Sequence, residues 1–236
     1  MTGLPGQTPA AALEDVSIAL DASPGHLSVY TLTLEEGTAL HESAARGEFT
    51  PQPVDKEAET WELVRSRLRE AGYRQYEVSN FARPGRESRH NLHYWRLDPY
   101  IGVGPGAVST LAVADGRVVR LENTRRRREY LSGDVAAALR PEILEPRSLL
   151  LDHLLMGLRL EDGIDRRVFT RRFGRGLEEL LPRSWDSWRR RNLAREMSGG
   201  WRCTDAGRLI LNTLLAEAAA EIEDTPGVHI ARVQWP

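Results

Sequence analysis

The sequence contains a single cysteine, Cys203, among its 236 residues. One thiol excludes an intramolecular disulfide framework and is typical of a reducing compartment. It also excludes a metal cluster whose several cysteine ligands all come from this chain. No run approaches the roughly 18 consecutive apolar residues of a membrane span, and no basic segment followed by an apolar core marks a signal peptide. We therefore expect a cytoplasmic protein that is not integral to a membrane.

An excess of charge of either sign is also lacking. Arginine and lysine together number 32, aspartate and glutamate number 34, and the formal net charge is −2. Because a strongly basic surface is what attracts nucleic acids and anionic membranes, we expect neither as a partner. Lys56 is the only lysine, and we interpret the preference for arginine as a compositional bias rather than as a binding signal.

The N-terminal region predicts an incomplete α/β domain. Thr8 is a suitable N-cap, and Pro9 suits the first position of a helix. Residues 27–34 are apolar on both faces, which is typical of a strand buried in a parallel sheet. Residues 76–78 predict another short strand. A loop, a helix and a buried strand make up only part of a βαβ unit, so we expect the chain to begin within a larger α/β domain.

Residues 76–109 are the most unusual stretch of the chain. They contain His90 and His93, two groups of aromatic residues and a glycine-rich turn at residues 102–106. No hydrophobic periodicity is sustained through the stretch, so it does not predict an ordinary helix. Long structured loops inside compact domains are usually functional, and we expect the functional residues here.

The glycine-rich turn does not predict a dinucleotide site. Gly102-x-Gly104 would have to open a helix to serve as such a fingerprint. Residues 108–121 instead predict a hairpin, because two β-rich runs flank Asp115-Gly116, a favoured type I′ turn.

From Asn123 onward the composition predicts mainly helices. Residues 146–160 form the most apolar of these, and Asp165 is a suitable N-cap for a shorter one. Residues 201–204 predict a short strand, and residues 205–220 predict a final amphipathic helix. Several short helices with a small strand resemble a winged-helix arrangement.

Several blocks of sequence together carry a family resemblance. They are GLPGQT (3–8), HLSVYTLTLEEGTAL (26–40), YEVSNFARPG (76–85), RHNLHYW (89–95), YIGVGPGA (100–107), LLMGLRLEDGID (154–165) and TDAGRLILN (204–212). Their order and spacing resemble the HemW-type heme chaperones, radical S-adenosylmethionine (SAM) proteins similar to oxygen-independent coproporphyrinogen III oxidases. The resemblance covers almost the whole chain.

The resemblance implies a fold and a division into domains. The fold would be α/β, the end of a partial radical-SAM, TIM-like barrel followed by a mainly helical, winged-helix-like C-terminal domain. Residues 1–122 would form the barrel end with a family-specific connector and hairpin. Residues 123–222 would form the HemW/HemN-type C-terminal domain, and residues 223–236 a flexible tail.

The resemblance also implies cofactors. The family holds a [4Fe-4S] cluster on a Cys-x3-Cys-x2-Cys loop, with SAM on the open iron. That motif is absent from these residues, so we expect this chain alone neither to hold the cluster and SAM nor to catalyse radical chemistry. Gly3, Gln7 and Thr33 are candidates for positions near SAM. The alternative for the 3–8 loop is a tight turn that starts the helix.

The HNxxYW block is the candidate heme site. His90 and His93 each offer an imidazole, which heme iron commonly takes as an axial ligand. Tyr94 and Trp95 would stack on a flat macrocycle, and Asn91 would orient a neighbouring group. The alternative is a structural motif in which the aromatic rings pack and His90 satisfies a buried carbonyl. Two imidazoles fall short of the four ligands of a zinc site.

Two functions from different classes follow from the resemblance. The first is a heme chaperone, here truncated, that binds heme and transfers it to an acceptor protein. The residues do not identify the acceptor, and a respiratory, membrane-associated protein is one candidate. The second is a radical SAM oxidase of porphyrin biosynthesis, inactive without its cluster domain. A non-functional remnant is a third possibility.

Overall fold

The structure, a computed structural model, describes residues 1–113, 117–134 and 138–224. The chain divides into two units, Met1–Arg89 and His90–Pro236. The predicted flexible tail begins at residue 223, and its residues 225–236 lie outside the described part.

The first unit packs helices against a small sheet. Its elements are α1 (Pro9–Asp21), β1 (His26–Ser28), α2 (Ala39–Ala45), α3 (Val54–Glu70), β2 (Arg74–Gln75) and β3 (Asn80–Ala82). As predicted, Thr8 caps α1, its hydroxyl accepting a hydrogen bond from the amide of Ala11 at 3.1 Å. The core lies between α1, α3 and the sheet, where Val64, Leu68 and Phe81 are fully buried.

Two strand predictions in this unit were wrong. The strand predicted over residues 27–34 ends at Ser28 and runs antiparallel to β3, in a sheet of order β1-β3-β2, and of the predicted parallel pairing the described residues contain one isolated bridge, between Thr31 and Thr2. An apolar run does not reveal its pairing partner, and Tyr30 in this run is half exposed rather than buried. The strand predicted over residues 76–78 is a bend, because the amide of Tyr76 bonds back to the carbonyl of Asn80 and reverses the chain.

The second unit contains two further three-stranded sheets and most of the helices. Its elements are α4 (Arg89–Trp95), β4 (Val108–Ala112), β5 (Val118–Asn123), α5 (Arg127–Leu131), β6 (Leu139–Leu144), α6 (Pro146–Gly157), β7 (Ile164–Asp165), α7 (Arg166–Phe173), α8 (Leu177–Leu180), α9 (Pro182–Arg190), β8 (Ala194–Met197), β9 (Gly200–Cys203), α10 (Asp205–Leu209) and α11 (Leu211–Asp224).

The first of these sheets has the order β4-β5-β6 and is antiparallel throughout. The two strands of the predicted hairpin are confirmed, and the predicted turn at Asp115-Gly116 lies outside the described residues. The sequence did not predict β6, which contains Pro141 and, among the described residues, pairs with β5 alone. Proline is tolerated in such an edge strand. The sheet includes strands from both sides of the predicted boundary between residues 122 and 123, and that boundary stays a prediction.

The second sheet has the order β7-β9-β8 and closes over the main hydrophobic core. The predicted strand at residues 201–204 is confirmed as β9, one residue earlier. Asp165 caps α7 as predicted, its carboxylate accepting from the amide of Val168 at 2.9 Å. The core is large and aromatic, with Phe169, Trp188 and Trp201 fully buried.

One buried carboxylate replaces the missing side-chain cap of α9. No residue at the start of α9 caps it through its side chain. Glu221 on α11 is 4% exposed and accepts hydrogen bonds from the amides of Arg183 at 2.8 Å and Ser184 at 2.6 Å. A carboxylate is favourable there because the first amides of a helix lack partners and carry partial positive charge.

We predict that Glu221→Ala lowers the free energy of unfolding by about 2 kcal/mol, since buried amide donors left without a partner cost about 1–3 kcal/mol. Urea denaturation followed by circular dichroism measures the change. The control is Glu223→Ala on the same helix, where the side chain is exposed and a change within about 0.5 kcal/mol is expected. Equal losses in the two variants would contradict the capping role.

Candidate functional site

Helix α4 places two rings of the HNxxYW block side by side. His90 and Tyr94 are four residues apart and share one face of the helix, and their ring centroids lie 4.9 Å apart in an edge-on contact. The ring of Tyr94 contacts that of Tyr100 at 4.7 Å. Reciprocal main-chain hydrogen bonds of 3.0 Å hold Tyr100 beside Thr110 of β4. We call His90, Tyr94 and Tyr100 the aromatic row.

Both ring nitrogens of His93 face acceptors. Its Nε2 lies 2.8 Å from the carbonyl oxygen of Pro99, and because a carbonyl only accepts, this nitrogen carries a proton. Its Nδ1 lies 3.4 Å from a carboxylate oxygen of Asp98. His93 therefore closes the turn that follows α4. The structural alternative had assigned a carbonyl contact to His90, and the structure gives that contact to His93.

His90 is exposed and its imidazole is open to a ligand. Within residues 1–113, 117–134 and 138–224, no hydrogen bond or ion pair engages its ring, and its contact is with the ring of Tyr94. A neutral imidazole with a free nitrogen is the commonest proximal ligand of heme iron. Of the two histidines in the block, His90 is the one that the geometry leaves available.

The other two candidates of the block do not join the aromatic row. Asn91 and Trp95 are half-buried on α4. Among the described residues, no ring contact links Trp95 to the row. Their predicted contacts with heme stay predictions.

A small cavity borders the aromatic row. Its volume is about 130 Å³, below the roughly 300–1,000 Å³ of typical small-molecule pockets. Arg120 lines it and forms ion pairs with Asp152 at 3.0 Å and Glu142 at 3.7 Å. The remaining lining is mostly apolar and comprises Leu97, Leu144, Leu149, Leu155 and Met156, with Tyr94, Asp98, Tyr100 and Thr110. A macrocycle that binds α4 would therefore lie over the exposed face rather than inside the cavity.

The glycine-rich turn next to the row is rigidly held. The side-chain amide of Asn123 donates to the carbonyls of Gly102 and Gly104 at 3.3 and 2.8 Å. A side chain at Gly102 would collide with the carbonyl of Val108, and Gly104 has a φ of +112° that other residues rarely adopt. As the sequence indicated, the strand β4 follows this turn, not the helix of a dinucleotide fingerprint.

The candidates for SAM contact lie in the first unit. The side-chain amide of Gln7 donates to Asp15 at 3.1 Å and to the carbonyl of Met1 at 3.3 Å, so it bonds within its own loop and α1. Gly3 has a φ of +76° and packs beside Thr31, and Thr33 is exposed. This arrangement matches a tight turn that starts a helix, and proximity to SAM stays a prediction for these residues.

The cysteine does not fit a cluster site. Cys203 is 3% exposed, and burial raises the pKa of its thiol to about 11, whereas cluster ligands are thiolates. In the part of the chain that the structure describes, no three His, Cys, Asp or Glu side chains converge as a metal site. Over the same residues, no helix is both long and apolar enough to cross a bilayer.

A buried histidine and a buried arginine lie beneath α4. His153 on α6 is 6% exposed, and its ring stacks edge-on against Phe169 at 5.3 Å and Phe173 at 5.5 Å. Its Nδ1 accepts a hydrogen bond from Arg172 at 3.1 Å. Burial, followed by the charge of Arg172, lowers the pKa of His153 to about 3. The sequence analysis assigned no role to His153, Arg172 or Tyr100. Nothing in the sequence distinguishes Arg172 from the many other arginines.

Several known proteins are similar to this chain. A family model described as the HemN C-terminal domain matches residues 144–210. The chain is 33% identical to the heme chaperone HemW of Escherichia coli, over 94% of its own length and 57% of that protein. It is 38% identical to the heme chaperone HemW of Mycobacterium tuberculosis, over 69% and 41% respectively. The chain is thus similar to HemW heme chaperones over most of its own length.

Two further proteins are similar to the chain. The bovine mitochondrial radical S-adenosyl methionine domain-containing protein 1 is 32% identical over 95% of the chain and 53% of that protein. The solved structure of the Escherichia coli radical SAM enzyme coproporphyrinogen III oxidase (HemN) superposes with a TM-score of 0.66, over 92% of this chain and 53% of that one. At 17% identity, this likeness shows the fold alone. The chain spans about half the length of the relatives that it matches.

The low pKa of His153 predicts that stability depends on pH. The unfolded chain binds a proton at this histidine near pH 6.5, whereas the folded chain binds it only near pH 3. The contribution of His153 to the free energy of unfolding is therefore fully present above about pH 6.5. It decreases as the pH drops below that value, by up to about 1.4 kcal/mol per pH unit. Urea denaturation at several values between about pH 7 and about pH 5 measures this slope.

The matched variant is His153→Gln, which keeps an acceptor for Arg172 but does not titrate. We expect its free energy of unfolding to fall less steeply over the same pH range, because glutamine takes up no proton. The difference between the two slopes is the contribution of His153. Parallel slopes in the two proteins would show that His153 does not contribute to the pH dependence.

Proposed function

We propose that this chain binds heme through helix α4 and transfers it to an acceptor protein. His90 supplies an axial imidazole to the iron, and the rings of Tyr94 and Tyr100 contact the macrocycle. The similarity to proteins named as heme chaperones supports this function, because it extends over most of this chain. The chain covers about half of those relatives, so the acceptor and the transfer step belong to the proposal.

The observation that carries the proposal is the open imidazole of His90 at one end of a row of aromatic rings. Heme is flat, apolar over its faces and dependent on a ligand to its iron, and the row provides both kinds of contact. His93 is a weaker candidate, because Pro99 and Asp98 already occupy its ring nitrogens. Binding on an exposed face also suits a protein that must release its cargo.

The surroundings of α4 add apolar contact for such a ligand. Ile101 is 74% exposed and Val103 is 84% exposed, although they sit on a turn that Asn123 holds rigid. Exposed aliphatic side chains on a fixed turn favour an apolar ligand or an apolar partner surface. The small cavity below Tyr94 is too narrow to enclose a macrocycle, so the ligand remains accessible to an acceptor.

The finer points of fold and location are also proposals. We infer that the first unit is the end of a radical-SAM-type barrel, which the likeness to HemN over 92% of the chain supports. We infer that the second unit includes a winged-helix-like part, with the hairpin of β8 and β9 as its wing. A reduced, buried Cys203 supports a cytoplasmic location. A respiratory, membrane-associated protein stays a candidate acceptor.

No observation in the site favours the oxidase alternative. A radical SAM oxidase needs three cysteine ligands for its cluster, and the one cysteine of this chain is buried with its thiol protonated. We therefore assign no radical step to these residues, and the [4Fe-4S] cluster and SAM stay family cofactors that we do not expect this chain alone to hold.

Titration with hemin tests the function. We expect the purified chain to show a shifted Soret band that saturates at about one equivalent at micromolar concentration. His90→Ala should weaken binding by more than the roughly tenfold loss that follows removal of even an outer-shell partner, because it removes the axial ligand itself. Absorbance and electron paramagnetic resonance spectra should report the lost imidazole.

The matched control is His93→Ala, three residues away on the same helix. Because His93 closes the turn and does not face the ligand, its variant should retain an imidazole-ligated spectrum. Absence of saturable binding in the wild-type chain would overturn the proposed function. Loss of the imidazole signal in His93→Ala together with its retention in His90→Ala would overturn the choice of ligand.

A further inference from the structure

The side chain of Arg172 meets the main chain at the end of α4. Arg172 is 1% exposed on α7, inside the segment that matches the HemN C-terminal domain. Its Nη1 donates to the carbonyl of Arg96 at 2.9 Å, and its Nη2 donates to the carbonyl of Leu97 at 3.3 Å. These two residues directly follow α4, so one guanidinium holds the helix end at two successive points.

Those carbonyls are suitable acceptors for a buried cation. The last carbonyls of a helix have no partner within the helix and carry partial negative charge. A guanidinium presents several N–H groups in a fixed planar fork and satisfies more than one acceptor at once. Burial lowers the pKa of Arg172 to about 10, so the side chain stays charged at neutral pH.

Asp98 extends this contact back to α4. One oxygen of Asp98 lies 3.8 Å from Nη2 of Arg172, and the other lies 3.4 Å from Nδ1 of His93. Arg172 therefore reaches the helix both through the main chain after it and through a carboxylate that touches one of its side chains.

The opposite side of Arg172 is fixed by the core. Its Nη1 also donates to Nδ1 of His153, whose ring is wedged against Phe169 and Phe173. His153 is a neutral acceptor, so it does not compensate the charge. Arg172 therefore connects the main chain that follows α4 to a ring that is held in the core.

We propose that Arg172 is a positioning residue for heme binding: it fixes the end of α4 so that His90 and Tyr94 present a common face to the ligand. The inference rests on the proposed function of α4. It assigns a role in ligand binding to the C-terminal part of the chain, although Arg172 does not touch the ligand.

The test compares hemin binding by Arg172→Met, Arg172→Lys and Arg171→Met in the whole chain. Arg172→Met removes the donors at similar length and should weaken hemin binding by about tenfold, as loss of an outer-shell partner does. Its spectrum should also show a mixture of iron coordination states. Arg172→Lys keeps the positive charge but loses the planar guanidinium, and we expect a hemin affinity between those of the wild-type chain and Arg172→Met. Arg171 is exposed, and Arg171→Met should behave like the wild-type chain.

Combination with His90→Ala separates positioning from a general loss of structure. If Arg172 acts through α4, adding Arg172→Met to His90→Ala should change hemin affinity by less than about twofold, because coupled residues are non-additive. Additive losses would overturn the proposal. If Arg172→Met does not fold, Arg172→Lys decides in its place, and a wild-type affinity and spectrum in that variant would overturn the proposal.

The same experiment distinguishes the two levels of inference. A wild-type chain that does not bind hemin overturns the proposed function. A chain that binds hemin through His90, together with an Arg172→Met variant of unchanged affinity and spectrum, overturns the positioning role alone.

Discussion

The contact between a buried guanidinium and the main chain after α4 is the constraint on which the candidate site depends. Helix α4 is seven residues long, and a helix of that length is not stable by itself in water. Its direction is therefore set by what it docks against. Arg172 supplies that contact, since it joins the carbonyls of Arg96 and Leu97 to a core of stacked rings.

The same constraint gives two histidines of one motif different roles. The chain reverses after α4 at Leu97, which has a φ of +54°. This reversal brings Asp98 and Pro99 back beneath His93 and occupies its ring, while His90, one turn earlier, remains exposed. The pattern HNxxYW does not predict that His90 and His93 differ, because the difference depends on the path of the residues that follow the motif.

Local signals in the sequence were reliable where the chemistry itself is local. The caps at Thr8 and Asp165 and the strands around the predicted turn all depend on neighbours within a few residues, and the structure contains them. The direction of β1 depends on β3, more than 50 residues away, and an apolar run does not encode it. The role of Arg172 was equally hidden, because its acceptors are carbonyls, which every residue carries.

On the proposed role of Arg172, ligand affinity depends on the stability of the C-terminal part of the chain. A loosened α7 would release the end of α4, and the aromatic row would lose its alignment without any change in its own residues. The surrounding core, in which the ring of Phe169 contacts those of Phe173 and Trp201, opposes such loosening. A site that must release its ligand needs both an open face and a fixed geometry. A short exposed helix fixed from behind by a buried arginine meets both requirements.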